Sequence, residues 1–215
     1  MLGGGGTRGA YQAGALWGML HATDDLSKYK YDVVTGVSAG TINGAAFSTF
    51  PPGEEIKAAE VLSETWQDLT SADIYKMWWP FGLIQGLNEP GMVNTAPLRN
   101  FIKKFFDRTT YEFKRKTAFL GVDASNGDII SFNETLSDND KINAVMTSSA
   151  IPVGFTTQHW SYEGKTIAGV DGGTAYMFDI ASGIKRCHEL VDDDSKITVD
   201  VIGCFGADQP PYTGF

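Results

Sequence analysis

The pentapeptide GVSAG, residues 36 to 40, places a small serine between glycines where an apolar strand is expected to give way to a helix. A serine on such a sharp strand-to-helix turn is a candidate nucleophile, because the turn holds its hydroxyl exposed. In this interpretation Gly36 and Gly40 remove side chains that would block Ser38. The alternative is that the glycines permit a tight turn and that Ser38 does no chemistry.

The glycine-rich segment GGGTRG, residues 4 to 9, is a second candidate for chemistry. It matches G-x-G-x-x-G, but a dinucleotide site needs an acidic residue at the end of the next strand, where this chain has Thr35 and Gly36. A phosphate P-loop would end in Lys-Ser or Lys-Thr, which this segment lacks. Successive glycine amides at a helix N-terminus still favour an oxyanion. Arg8 would orient this loop, attract a phosphate-bearing substrate or pair with a nearby carboxylate.

A serine nucleophile needs a proton acceptor. The histidines are His21, His159 and His188. His159 is the one serious candidate among them, in the polar segment TTQHWSYEG that we interpret as a loop. Asp171 ends an apolar strand, and Gly172 and Gly173 let the backbone turn away and leave its carboxylate uncovered. A Ser38–Asp171 pair would need a partly desolvated carboxylate within about 2.6 to 3.2 Å of the hydroxyl, whereas DGG on its own is also a common turn.

Alternating strands and helices must position these residues. The predicted helices cover 8–22, 39–47, 54–69, 95–106, 137–150 and 179–190. The predicted strands cover 31–36, 117–123, 128–134, 166–170 and 196–204, with Asn126-Gly127 as a hairpin turn. This order predicts the α/β class: a three-layer α/β/α sandwich with a mainly parallel central sheet that includes an antiparallel hairpin.

Composition excludes several function classes. The 215 residues fit one domain, and the net charge of −9 opposes binding to nucleic acid or anionic lipid. Cys187 and Cys204 match neither a disulfide framework nor a zinc pattern, so no metal site is predicted. The chain has no signal peptide and no apolar run of about 18 residues. Met1 and Leu2 are too few to form the strand that normally precedes a glycine loop, which favours a fragment lacking its first strand.

Taken in order, GGGTRG, GVSAG and DGG resemble the patatin-like phospholipases, a family of Ser-Asp acyl hydrolases. The similarity spans almost the whole chain, because TAPLRNFIKKFF resembles the Pro-Leu helix of the family and TSSAIP, residues 147 to 152, resembles its Ser-Ala-x-Pro turn. The resemblance implies Ser38 as nucleophile, Asp171 as base and no metal or other cofactor. It also implies an oxyanion hole from the main chain of four residues beside Arg8. These are Gly4, Gly5, Gly6 and Thr7.

The implied substrate is a phospholipid or another fatty acyl ester. Many family members carry Asn and then Pro after DGG, whereas this chain has Met177 and Asp179. Two alternatives stay open: a catalytically silent, lipid-binding or structural relative within a larger assembly, and an ordinary Ser-His-Asp hydrolase that uses His159.

The segment MWWPFGLIQGLN, residues 77 to 88, has no charge, and Pro80 with the nearby glycines predicts a loop. An enzyme acting on lipids needs an apolar entrance, so residues 70 to 95 are a candidate lid or channel mouth with peripheral membrane contact. The alternative is that these side chains fill a core under a long loop. The candidate lipid-contacting residues are Trp78, Trp79, Phe81, Leu83 and Ile84.

Overall fold

The computed structural model describes residues 1–204. Its strands are β1 (Val33–Val37), β2 (Lys116–Asp123), β3 (Asp128–Phe132), β4 (Gln158–Tyr162) and β5 (Lys165–Asp171). Its α-helices are α1 (Gly9–Ala22), α2 (Ala39–Ser48), α3 (Glu55–Asp68), α4 (Ser71–Ile74), α5 (Leu83–Gly86), α6 (Ala96–Arg108), α7 (Asp138–Ser148) and α8 (Ile180–His188). Short 3₁₀ helices cover Gly6–Arg8, Leu26–Tyr29, Gly172–Thr174 and Asp194–Lys196.

Helices cover both faces of the central sheet. Neighbouring residues of a strand point to opposite faces, and Val34 lies against Gly44 of α2 whereas Thr35 lies against Gly183 of α8. The α2 face is the thicker one, because α1 and α3 pack there around Val34 and α6 and α7 pack around Phe119. The three-layer α/β/α sandwich predicted from the sequence is confirmed.

Two strands meet end to end along one edge of β2. β1 runs parallel to β2 and ends with Val37 opposite Leu120. β5 runs antiparallel to β2 and ends with Asp171 opposite Gly121, the next residue of β2. β3 pairs with residues 119–123 of β2 and therefore occupies the other edge. The carboxyl ends of β1 and β5 consequently face each other at one point of the sheet.

Antiparallel pairing is more extensive than the single hairpin that the sequence predicted. The hairpin between β2 and β3 is present, with Gly127 at φ 81°, and β5 also pairs antiparallel with β2 and β4. The segment around His159 was predicted as a loop, but it forms the edge strand β4. Its alternation of exposed His159 with half-buried Trp160 is the period-two pattern of a strand.

The predicted strand at 196–204 is wrong. Among the described residues of this segment, Ile202 alone forms a bridge, parallel to Leu2, which in turn bridges Gly36 of β1. After Leu2 the chain enters the glycine loop, so the parallel bridge does not continue beyond Ile202. An apolar, β-branched sequence remains irregular where it has no extended neighbour to pair with.

Arg115 joins the start of β2 to the connection between α2 and α3. Its guanidinium is buried, bonds Glu55 at 2.8 Å and donates to the carbonyls of Phe50 and Pro51 at 2.9 Å each. It also donates to the carbonyl of Tyr31. Removing it would leave a buried carboxylate and several carbonyls without partners.

We therefore expect Arg115→Ala to lower the free energy of unfolding by about 3 to 5 kcal/mol, the usual cost of breaking a buried ion pair. Arg115→Lys should recover part of this loss, because an ammonium cannot reproduce the fork of donors. Chemical denaturation measures both effects. The exposed Arg108→Ala on α6 is the matched control and should stay within about 0.5 kcal/mol of the parent. A loss at Arg115 no larger than at Arg108 would contradict this structural role.

Candidate active site

Ser38 lies between β1 and α2 with φ 56° and ψ −123°. A residue with a side chain adopts such a positive φ at a cost of about 1 to 3 kcal/mol, and such strain concentrates at active sites. The Ser38 amide donates to the Ser148 hydroxyl at 3.1 Å, and Ser148 bonds the Thr41 hydroxyl at 2.6 Å. The Ser38 side chain makes no capping bond to α2. Its hydroxyl is therefore available for another partner.

Gly36 and Gly40 allow close packing around this turn. A Cβ on Gly36 would lie 2.5 Å from the Gly40 carbonyl oxygen, and a Cβ on Gly40 would lie 2.2 Å from the Leu2 carbonyl oxygen. Their side chains would thus meet main-chain atoms rather than the Ser38 hydroxyl. The two glycines let α2 approach β1 and the first residues of the chain.

Asp171 ends β5 and contacts Ser38 directly. The Ser38 hydroxyl donates to Asp171 Oδ2 at 2.6 Å, and the Gly173 amide donates to Oδ1 at 2.7 Å. Gly172 leaves no room for a Cβ against the β2 backbone. The expectation that DGG leaves the carboxylate uncovered is wrong, because Asp171 is 5% exposed. Both carboxylate oxygens nevertheless have a donor.

Burial raises the pKa of the Asp171 carboxyl above its ordinary value of 3.8. The hydrogen bonds from Ser38 and Gly173 lower this pKa, but they offset the desolvation only in part. A carboxylate with a raised pKa is a stronger base than an exposed aspartate. The site therefore holds a hydroxyl against a carboxylate that favours taking up a proton.

The glycine loop runs beside Ser38. A Cβ on Gly4 would lie 3.4 Å from the Ser38 Cβ, so the two main chains are close neighbours. The Gly4 amide donates to the Met177 carbonyl at 3.2 Å. Gly4 therefore fixes the loop to the segment that follows DGG, and its amide is not one of the free donors that the sequence predicted.

The next three residues of the loop keep their donors available. Within residues 1–204, the amides of Gly5, Gly6 and Thr7 have no hydrogen-bond acceptor. Gly6 and Thr7 line the same cavity as Ser38. Arg8 donates to the Cys204 carbonyl at 3.1 Å and pairs with no carboxylate of the described chain, which fits the predicted role of orienting the loop.

Comparison with protein families decides the assignment. Residues 1–184 match the model of the patatin-like phospholipases, a range that includes the glycine loop, Ser38 and Asp171. The chain belongs to the patatin-like phospholipase family. A comparison with curated proteins found no match. Membership in this family supports hydrolysis of lipid esters in general.

In this patatin-like domain, TSSAIP supports both members of the Ser38–Asp171 pair. The Ser148 hydroxyl accepts the Ser38 amide, and the Ser149 hydroxyl donates to the Ser38 carbonyl at 3.4 Å. The Ala150 carbonyl accepts the Asp171 amide at 2.8 Å. The carboxyl end of α7 therefore sets the position of one strand end relative to the other.

A buried polar network, which sequence reasoning missed, holds the glycine loop against α2. Asn43 Nδ2 donates to the Gly9 carbonyl and to Gln12 Oε1, both at 2.9 Å, and Asn43 Oδ1 accepts from Trp66 at 2.7 Å. Gln12 Nε2 donates to the Gly3 carbonyl at 2.8 Å. Asn43 and Gln12 are fully buried. The signal in the sequence was Asn43 itself, a single amide side chain in a predicted helix of small residues, five residues after Ser38.

No histidine of the described chain bonds Ser38 or Asp171. His159 is exposed on β4, opposite Ala168. His21 bonds the Trp17 carbonyl and Glu60, and His188 lies 3.0 Å from Asp194. The structure therefore brings Ser38 together with the aspartate and leaves all three imidazoles elsewhere.

A cavity of about 480 Å³ opens beside Ser38. Gly6 and Thr7 line one part of it, and the other walls are mainly apolar. Among the apolar residues of its walls are Ile42, Leu69, Ile74, Leu98 and Phe155. Such a cavity suits a hydrocarbon chain whose polar end reaches Ser38.

The apolar segment, residues 77 to 88, begins two residues after Tyr75, which lines this cavity. Trp79, Phe81, Leu83 and Ile84 are exposed, so the alternative that they fill a core is wrong for these four. Trp78 is half-buried and donates to the Gly91 carbonyl at 2.9 Å, which fits that alternative. The predicted loop contains one short helix, α5, and α4 lies just before it.

Neither a metal cluster nor a membrane span is found in residues 1–204. These residues contain no group of three or more His, Cys, Asp or Glu side chains that could hold a metal ion. The helices of the same range are too short or too polar to cross a bilayer.

Because the pKa of Asp171 is raised, activity and stability should depend on pH in opposite directions. The ionised carboxylate is the form that can accept a proton, so kcat/KM should fall as the pH decreases through that pKa. The folded state binds this proton more tightly than the unfolded chain, so the contribution of Asp171 to stability decreases as the pH rises above 3.8. Asp171→Asn should therefore be inactive and have a Tm at neutral pH no lower than the parent. A clearly lower Tm would contradict the assigned burial cost.

Asn43→Ala should lower kcat about tenfold or more, because the glycine loop loses the bonds that fix its amides and one oxyanion donor is worth about 2.7 to 4 kcal/mol. Steady-state kinetics on a soluble ester measures this. Asn143→Ala on α7 is the matched control: Asn143 is also a buried, hydrogen-bonded asparagine. Both variants should lose stability, and a similar loss of kcat in both would remove the positioning role.

Proposed function

We propose that the protein is a lipid acyl hydrolase, of the phospholipase A or lipase/esterase type, that uses Ser38 as nucleophile and Asp171 as base. The observation that supports this best is the 2.6 Å hydrogen bond from the Ser38 hydroxyl to the buried Asp171 carboxylate. Family membership supports the lipid ester as the class of substrate. The amides of the glycine loop, three of which have no acceptor within residues 1–204, support acyl transfer as the reaction.

In the first half of the reaction, Ser38 Oγ attacks the ester carbonyl carbon while its proton passes to Asp171 Oδ2. The carbonyl oxygen becomes an oxyanion, and the amides of Gly5, Gly6 and Thr7 are the donors that would stabilise it. As the tetrahedral intermediate collapses, the bond to the leaving alcohol breaks and Asp171 returns the proton to that oxygen. The product is an acyl-enzyme and a free alcohol.

In the second half, Asp171 takes a proton from a water molecule that attacks the acyl-enzyme carbonyl. As this second intermediate collapses, the bond between the acyl carbon and Ser38 Oγ breaks, the fatty acid is released, and Asp171 returns its proton to Ser38 Oγ. The apolar cavity would hold the acyl chain during both halves, which keeps the carbonyl carbon beside Ser38. A glycerophospholipid or another fatty acyl ester meets these requirements.

We expect Ser38→Ala and Asp171→Asn each to lower kcat for a nitrophenyl acyl ester by about 10³-fold or more, because both groups take part in the same proton transfer. The double variant should be little worse than either single variant, since residues that act as one unit are not additive. Hydrolysis is followed by nitrophenol release, with circular dichroism as the check on folding. Normal turnover by either single variant would refute the pair.

His159→Ala is the control for a histidine-dependent mechanism and should keep kcat within about twofold of the parent, because His159 lies exposed on β4. A large loss would favour the ordinary hydrolase instead. Covalent labelling of the parent, but not of Ser38→Ala, by a fluorophosphonate probe is expected. No labelling of the parent would favour the catalytically silent alternative.

A further inference from the structure

Large apolar side chains project into solvent from two segments that lie close in sequence to residues lining the cavity. Trp79 is 89% exposed and Val153 is 77% exposed, values typical of side chains with few protein neighbours. We call this set the rim patch. It consists of Trp79, Phe81, Leu83, Ile84, Leu87 and Val153. A concentration of exposed apolar side chains of this kind marks a site that contacts another apolar surface, such as a protein or a membrane.

Main-chain hydrogen bonds join the second segment of the rim patch to residues 92 and 93, which follow the first segment. The Met92 amide donates to the Val153 carbonyl at 2.8 Å, and the Val93 amide donates to the Gly154 carbonyl at 3.0 Å. Trp78 turns inward and bonds the Gly91 carbonyl, so Trp79 beside it points the other way. Trp79 and Val153 are thus exposed next to residues whose positions are fixed by hydrogen bonds.

The rim patch borders the cavity that contains Ser38. Tyr75 and Phe155 line this cavity and have ring centroids 6.3 Å apart. Tyr75 lies four residues before Trp79, and Phe155 lies two residues after Val153. Ile151 lines the cavity and is itself 43% exposed. An apolar body on the patch would therefore lie at the cavity entrance.

The distribution of charge indicates which kind of apolar surface contacts the rim patch. Residues 77 to 88 carry no charged side chain, whereas the whole chain has a net charge of −9. An anionic surface would repel the protein, and an uncharged patch offers nothing for specific ion pairing. Tryptophan beside aliphatic residues is typical of the water–hydrocarbon boundary of a bilayer.

We propose that the rim patch inserts into the surface of a zwitterionic phospholipid bilayer and brings the cavity entrance to the lipids. This deepens the proposed function, on which it depends for the lipid ester as substrate. Insertion would remove the exposed side chains from water and let an acyl chain pass from the bilayer into the apolar cavity without crossing solvent.

The test uses the full chain with Ser38→Ala, so that lipid is not hydrolysed during the measurement. Cosedimentation with phosphatidylcholine vesicles should show binding, and adding Ile84→Glu should weaken it at least tenfold. Trp79→Ala should also weaken binding, with no new charge. Ile129→Glu is the matched control, because Ile129 is 49% exposed on β3 at the opposite edge of β2, and it should bind like the parent. Equal binding by all these proteins, or no binding at all, would overturn the proposal.

Two further measurements separate a membrane surface from a self-interface and from failure of the function. Light scattering shows whether the parent is a dimer. If Ile84→Glu abolishes such a dimer and the parent does not bind vesicles, the rim patch is a contact between two copies of the chain and the proposal is wrong. With Ser38 present, Ile84→Glu should lower the ratio of activity on vesicle-borne ester to activity on a soluble short-chain ester at least tenfold. If the parent hydrolyses the soluble ester but does not bind vesicles, only the membrane proposal is wrong. If the parent binds vesicles but hydrolyses no ester, only the proposed function is wrong.

Discussion

The hydrogen bond between Ser38 and Asp171 exists because two strands end at consecutive positions of a third. Val37 lies opposite Leu120 and Asp171 opposite Gly121, on the same edge of β2. Because β1 runs parallel to β2 along its first residues and β5 runs antiparallel along its last residues, the two carboxyl ends point at each other. The side chains at that junction are 133 positions apart in the chain, yet they are separated by 2.6 Å. The α7 carboxyl end spans the junction and bonds both strand ends, so the spacing depends on the sheet and one helix rather than on loops.

Burial of Asp171 has two effects, one on its basicity and one on stability, and they favour opposite outcomes. Desolvation makes the Asp171 carboxylate a stronger base, but the same desolvation makes the ionised residue costly to hold inside the fold. Donors from Ser38 and Gly173 offset part of that cost. The positive φ of Ser38 adds backbone strain at the same point. The packed sheet on either side of the junction must therefore supply the stability that the site lacks.

The sequence could predict the elements and the motif residues, but not the features that depend on neighbours. Asn126-Gly127 predicted its hairpin because the turn chemistry is local. The prediction of a strand at 196–204 was wrong because a strand also needs a partner, and Leu2 supplies a single bridge. Asn43 was missed because its burial depends on α1 and α3 packing against α2. Trp78 and Trp79 are adjacent and chemically identical, yet one bonds inward and the other lies in solvent, a difference set by the Gly91 carbonyl.

In the mechanism proposed above, the same helix, α2, sets the position of the Ser38 hydroxyl relative to the amides of the glycine loop. Ser38 directly precedes α2, and Asn43 lies five residues further along the chain. The Asn43 side chain donates hydrogen bonds to the Gly9 carbonyl and to Gln12, and Gln12 in turn donates to the Gly3 carbonyl. Gly3 and Gly9 flank the loop in which Gly6 and Thr7 line the cavity and have amides without an acceptor within residues 1–204. A small shift of α2 would therefore carry hydroxyl and donors together and preserve the distance between them. Preorganisation of this kind lets main-chain amides stabilise developing charge without reorganising during the reaction. It also explains why a helix of small residues retains one fully buried asparagine.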